Sequence, residues 1–117
     1  MYNNEFKILS LLGLASKARK VLTGDTLLKS IKQKKIELVL IAEDASDNSK
    51  KKFMDKCNYY DIPCYIFSDV DKLSSAIGKD NRVCVGISDK GFAFKIKSMI
   101  GGWDYGKKIK PKEKREY

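Results

Sequence analysis

Histidine is absent from this chain, which removes at one stroke the commonest general base and a preferred zinc ligand. Cysteine is sparse: Cys57, Cys64 and Cys84 form an odd set with no Cys-x-x-Cys spacing. Neither a disulfide framework nor a zinc site follows, and reduced thiols fit best. All three lie within apolar patterns, where a cysteine behaves as a small hydrophobe. No stretch approaches the roughly 20 apolar residues of a membrane span. The opening Met1-Tyr2-Asn3-Asn4-Glu5 lacks the basic start and apolar run of a signal peptide, so a cytoplasmic location without membrane partners is expected. No Gly-x-Gly-x-x-Gly or Walker sequence occurs. Gly24-Asp25-Thr26 is too short a match and joins two helices, where a phosphate loop would follow a strand. With carboxylates and thiols scattered and lacking partner motifs, the expectation is no enzyme, no metal and no cofactor.

What the chain does have is positive charge. Lys and Arg number 24 against 15 Asp and Glu, a formal net charge of +9 over 117 residues, which favours a polyanionic partner such as nucleic acid. Hydrophobic residues make up 43%, enough for a folded core, and the length suits a single domain. We place that domain at residues 1–102. Residues 103–117 hold six basic against three acidic side chains and read as a basic, mobile tail.

From Asn4 to Arg19, Phe6, Ile8, Leu9, Leu11, Leu12, Leu14, Ala15 and Ala18 recur at helical offsets. Thr23-Gly24-Asp25-Thr26 breaks the chain before a second helix that carries Leu27, Leu28 and Ile31 and ends in the Lys32-Gln33-Lys34-Lys35 run. Leu38 to Ala42 is a continuous apolar run, the pattern of a strand buried on both faces and suited to parallel pairing. Asp47 to Tyr60 has helical spacing, and Pro63 leads into a strand through Cys64, Tyr65, Ile66 and Phe67. A short helix from Asp69 to Ile77 closes at Gly78, where a left-handed cap costs little. Val83 to Ser88 reads as a third buried strand and Gly91 to Ile100 as the last helix. This alternation predicts an α/β fold, a three-layer α/β/α sandwich with a small mixed sheet.

Three clusters could carry a function. Glu43 and Asp44 follow a buried strand at its carboxyl end, where open α/β sheets often place ligands; the commoner role of such residues is to cap and to solvate a loop. Lys50-Lys51-Lys52 near the start of the third helix opposes the helix dipole, and a bound phosphate would relieve it, although a solvated lysine face is the usual explanation. Lys17, Arg19 and Lys20 stand beside the Gly24-Asp25-Thr26 turn, so backbone N–H groups, small polar side chains and cations converge on one short connection.

Thr23 to Lys29, Leu38 to Asp44, Ile62 to Tyr65 and Lys72 to Gly78 together resemble, in order and spacing, the ribosomal L7Ae and L30e superfamily of kink-turn RNA binders. Gly13 to Lys20 and the run Glu43 to Tyr60 look like a bacterial branch of ribosomal or RNA-binding proteins. The resemblance covers roughly residues 5 to 100. It implies an α/β/α sandwich without catalytic activity, in which the start of the second helix enters a kinked RNA groove beside sheared G·A pairs. By position it assigns Gly24, Asp25, Thr26 and Lys29 to the recognition turn and helix. Ile77, Gly78, Lys79 and Arg82 occupy or flank a second contact loop. Lys17, Lys20, Lys29, Lys79 and Arg82 would contact phosphates, and association with the ribosome is one setting for the protein. Where the family's kink-turn binders usually carry Asn-Glu, this chain has Asp25-Thr26: an amide able to donate has become acceptor-only, and a carboxylate has become a hydroxyl. Recognition of structured RNA in general is the expectation, with two alternatives. One is a protein-interaction adaptor of the translation machinery with a decayed RNA surface; the other is an enzyme centred on Glu43 and Asp44.

Overall fold

The structure, a computed structural model, describes residues 2–101 and 108–109. Five helices and five strands alternate along them: α1 (Tyr2–Lys17), β1 (Val21–Leu22), α2 (Gly24–Lys32), β2 (Leu38–Ile41), α3 (Asp47–Tyr60), β3 (Cys64–Ile66), α4 (Val70–Ala76), β4 (Cys84–Ile87), α5 (Lys90–Gly101) and β5 (Lys108–Ile109). The strands form one sheet in the order β1-β4-β2-β3-β5. All four residues of β2 and of β4 are buried, because helices cover both faces of the sheet. On one side α1 packs against α4 and α5, and on the other α2 packs against α3. This is the expected three-layer α/β/α arrangement.

The core joins the apolar stripe of each helix to the central strands. Ile8 and Leu12 of α1, Leu27 and Ile31 of α2, Leu73 of α4 and Ile96 of α5 are fully buried with Leu38, Val39, Leu40, Ile41, Val85 and Ile87. Removing such side chains from water stabilises by about 1.5–3 kcal/mol each. At Gly86 the helix layer comes so close that a Cβ would collide with the side chain of Leu27, so glycine here lets α2 lie against β4.

The sheet is mixed. β2 pairs in parallel with β3, with Val39 opposite Cys64, as the apolar run of β2 suggests. The third apolar strand, β4, is antiparallel to β2, with Leu40 opposite Val85. β1 is a two-residue strand that joins the edge of β4 antiparallel, Val21 opposite Ile87 and Leu22 opposite Gly86. Sequence periodicity did not reveal it, since two residues cannot display a period. Lys108–Ile109 pairs antiparallel with Tyr65 and Cys64; the rest of the expected mobile tail lies outside the described residues.

Helix ends show a shared device. The Lys20 N–H bonds the Ala15 carbonyl and the Arg19 N–H the Ser16 carbonyl, the double closure of a Schellman motif, with Arg19 left-handed at φ 63°. The same pair of bonds closes α2 around Lys34, α3 around Asp61 and α4 around Gly78, all at positive φ. Only α4 uses the residue that adopts this conformation without strain.

Candidate nucleic-acid interface

Strand β1 fixes where α2 begins. It runs antiparallel to β4, so continuing its register beyond Leu22 and Gly86 carries Thr23 toward the starting end of β4. β4 in turn is fed by the loop that follows Ile77. The turn opening α2 and the loop after α4 therefore flank the same end of one sheet edge.

At this end the start of α2 is open. Thr23 is extended and makes no side-chain capping bond, and the first helical bond runs from the Leu27 N–H to the Thr23 carbonyl. The amides before Leu27 point toward the helix end, where the macrodipole favours an anion. Gly24 has φ +61°, and a Cβ placed on it would meet nothing within 4 Å. The described residues thus leave room for a side chain at Gly24, and glycine is required by backbone conformation rather than by crowding. Asp25, Thr26 and Lys29 are exposed.

The second loop is held rigidly from below. The Ser74 side chain, 4% exposed, accepts a hydrogen bond from the Arg82 N–H at 2.8 Å and donates to the Arg82 carbonyl at 3.4 Å, closing the loop on itself. The Lys79 N–H bonds the Ser74 carbonyl, Gly78 is left-handed at φ 70° and Asn81 at φ 48°. The Ser16 hydroxyl on α1 donates to the Ile77 carbonyl at 3.3 Å, and a Cβ at Gly13 would lie 3.1 Å from the Ala76 carbonyl. The end of α1 is therefore locked onto the end of α4, which brings Lys17 beside Gly78 and Lys79. Ile77 itself turns its side chain into the core. Arg82 is half-buried, and its Nε is buried without a partner among the described residues.

Not all the expected residues converge. The Lys20 carbonyl accepts from both the N–H and the hydroxyl of Ser88, which puts Lys20 at the far end of β4, about 10 Å along the strand at 3.3 Å per residue. Lys29 lies on the second turn of α2, about 7 Å along the helix axis from Gly24. Lys17, Lys20, Lys29 and Lys79 are exposed, as is Arg19, and none forms an ion pair among the described residues.

Residues 7–96 match the Ribosomal protein L7Ae/L30e/S12e/Gadd45 family. The chain belongs to this family. The RNA-binding protein YlxQ of Bacillus subtilis (strain 168) is 47% identical over 91 residues, 77% of this chain and 91% of its own length. The RNA-binding protein YlxQ of Enterococcus faecium is 44% identical over 101 residues, 85% of this chain and 96% of its own. Among solved structures, a protein from Bacillus halodurans superposes with a TM-score of 0.78 at 42% identity, covering 81% of this chain and 97% of that one. The Giardia lamblia 15.5kD RNA binding protein shares the fold at a TM-score of 0.71 and 19% identity, with 86% and 87% coverage. The chain is thus an L7Ae-family member of the bacterial YlxQ type, in a family without enzymatic activity.

In the other two clusters of this L7Ae-family chain, Asp44 and Lys51 have partners within the fold. The Asp44 carboxylate accepts from the Val70 N–H at 2.9 Å, so it caps α4 from a neighbouring loop alongside Asp69, which accepts from Lys72 N–H. Lys51 pairs with Asp55 at 3.3 Å, and Ser46 caps α3 through the Ser49 N–H. Cys57, Cys64 and Cys84 are buried. A hydrogen bond with Cys57, together with burial, pushes the Cys64 thiol well above its ordinary value. Burial foremost does the same for Cys84. Both stay protonated and inert. Sequence reasoning missed Ser16 and Ser74, which shape the site without belonging to any charge cluster. Their only signal was the presence of a serine on the otherwise apolar stripes Leu12-Ala15 and Leu73-Ile77.

Proposed function

We propose that this protein is a non-catalytic, cytoplasmic RNA-binding protein that recognises structured RNA, kink-turn-like or ribosomal, through the turn opening α2 and the adjacent basic loop. The observation that carries the reading is the start of α2 at Gly24, where Thr23 makes no side-chain cap and a Cβ would meet nothing within 4 Å among the described residues. The names of the two YlxQ relatives, both RNA-binding proteins, support it. Gly24, Asp25 and Thr26 approach the RNA as backbone and short polar side chains, and Lys29 follows along the groove. Lys17, Lys79 and Arg82 hold phosphates on the second loop that Ile77 and Gly78 position, and Lys20 reaches more distant backbone. Phosphate contacts fix register, and the few base-edge contacts at Asp25 and Thr26 set specificity. The basic tail of residues 103–117 adds salt-sensitive affinity, and the ribosome is one place where such RNA is met.

Equilibrium binding to a kink-turn RNA and to a matched uninterrupted duplex, across a salt series, tests this. A kink-turn preference above about tenfold, equal to 1.4 kcal/mol, that persists at raised salt supports recognition through the α2 turn. Equal binding with a steep salt slope reduces the reading to electrostatic RNA binding. Binding to neither RNA overturns it.

A further inference from the structure

The helix layer on the other side of the sheet from α2 carries an apolar surface away from the α2 turn. α1 and α5 lie side by side and leave a cleft of about 510 Å³ between them, with Leu11, Leu14, Phe94 and Met99 in its lining and Lys7 and Lys95 on the two helices. Phe94 is 71% exposed and Leu14 56%. Contiguous exposed apolar side chains on a small domain mark an interaction site.

The shape and charge of the cleft select its occupant. It is an open trough between two helices, a seat that a third helix can fill. Its field has one sign. α5 contains no Asp or Glu, and Glu5, the acidic residue of α1, is turned away to accept from Ser68 at 2.9 Å and to pair with Lys72. A second copy of this chain, itself +9, would bring like charge to a lysine-flanked groove. The lining is mostly apolar, with hydroxyls at Ser10 and Ser98, and so offers bases few hydrogen bonds. We propose that the α1–α5 cleft docks an acidic amphipathic helix of a protein partner. Apolar side chains at i, i+3, i+4 and i+7 enter the cleft, and flanking carboxylates face Lys7 and Lys95. The α2 turn lies on the opposite face of the sheet, and the one RNA-contact residue proposed on α1, Lys17, stands at the helix end a turn beyond Leu14, so RNA and the helix bind together.

The test uses the full chain and two synthetic 18-residue helical peptides with the same leucine stripe, one flanked by Glu and the other by Lys. The expected result is at least tenfold tighter binding of the Glu peptide by fluorescence anisotropy, with amide shift changes confined to α1 and α5. Phe94→Ser with Leu14→Ser abolishes it, while circular dichroism and RNA binding stay unchanged. Lys7→Glu with Lys95→Glu reverses the preference in favour of the Lys peptide. No binding of the Glu peptide, equal binding of both, or indifference to the charge reversal overturns the proposal. Three further results also overturn it, by assigning the cleft to another occupant. These are Phe94-dependent binding to phosphatidylglycerol vesicles, displacement of the peptide by RNA, and a dimer in sedimentation that Phe94→Ser abolishes. Failure here leaves the RNA assay untouched, so the two readings fall separately.

Discussion

Ser16 and Ile77, 61 residues apart in sequence, are joined by a 3.3 Å hydrogen bond from the serine hydroxyl to the isoleucine carbonyl. The bond ties the end of α1 to the loop that feeds β4, and so sets the spacing between Lys17 and Lys79. Ser16→Ala removes it without adding bulk. A half-buried bond of this kind contributes about 0.5–1.5 kcal/mol, so thermal denaturation should shift down by roughly 4 °C. RNA affinity should fall by more than the lost helix contact explains, because two cationic loops become independently mobile. An unchanged affinity in titration would show that the loops hold their spacing without Ser16.

Arg19 occupies a left-handed position, φ 63°, that glycine adopts freely. Conformational strain of about 1 kcal/mol is carried there by a charged, exposed residue. Arg19→Gly should therefore raise stability by a few tenths to about 1 kcal/mol in denaturant unfolding. The same variant should weaken RNA binding and lower the salt slope by about 1 if the guanidinium contacts a phosphate. Opposite signs in the two assays are the expected outcome; a gain in stability with RNA binding unaltered would make Arg19 a helix stop alone.

Much of the fold was legible because burial on both faces writes continuous apolar runs into β2 and β4, and burial on one face writes helical spacing into α1 and α3. The helix ends were harder to read for a physical reason. Glycine marked the end of α4 at Gly78, but Arg19, Lys34 and Asp61 perform the same left-handed turn on α1, α2 and α3, and no composition rule singles them out. β1 was hidden because Val21 and Leu22 are too few to show alternation. At the site, the sequence exposed the cations and the Gly24 turn, whereas Ser16 and Ser74 act through backbone carbonyls and amides distant in sequence. Their partners become visible only after the chain has folded.

Arg82 has an Nε buried without a partner among the described residues, and an unsatisfied group of this kind costs about 1–3 kcal/mol relative to a satisfied one. Arg82→Met keeps the apolar stem and deletes the orphan. Chemical denaturation should show stability equal to or above the parent, while RNA affinity drops with the lost guanidinium. A marked loss of stability would mean that the stem's packing or the remaining guanidinium nitrogens anchor the loop.

The resemblance to kink-turn binders sets Asp25 and Thr26 at positions where those proteins usually carry Asn and Glu. Both side chains are exposed on the open first turn of α2, so replacing them leaves the core intact. Asp25→Asn with Thr26→Glu restores a donor at the first position and a carboxylate at the second. With one good base contact worth about 1–3 kcal/mol, the preference for kink-turn RNA over duplex should rise by about tenfold, measured at a salt concentration that suppresses bulk phosphate attraction.

Buried thiols give the protein a stability limit on the alkaline side. Cys64 and Cys84 are held protonated in the folded state, their values raised chiefly by the Cys57 hydrogen bond and by burial respectively, whereas in the unfolded chain a thiol ionises near pH 8.5. Below that pH both states keep the proton and folding stability is unaffected by these groups. Above it the unfolded state releases protons that the folded state retains, so stability declines with rising pH until the folded thiols also ionise. Denaturation midpoints should therefore fall between about pH 8.5 and 10, and Cys84→Ala should flatten that decline while lowering stability at neutral pH through the small cavity it leaves. A decline identical in parent and variant would assign the alkaline limit to other groups.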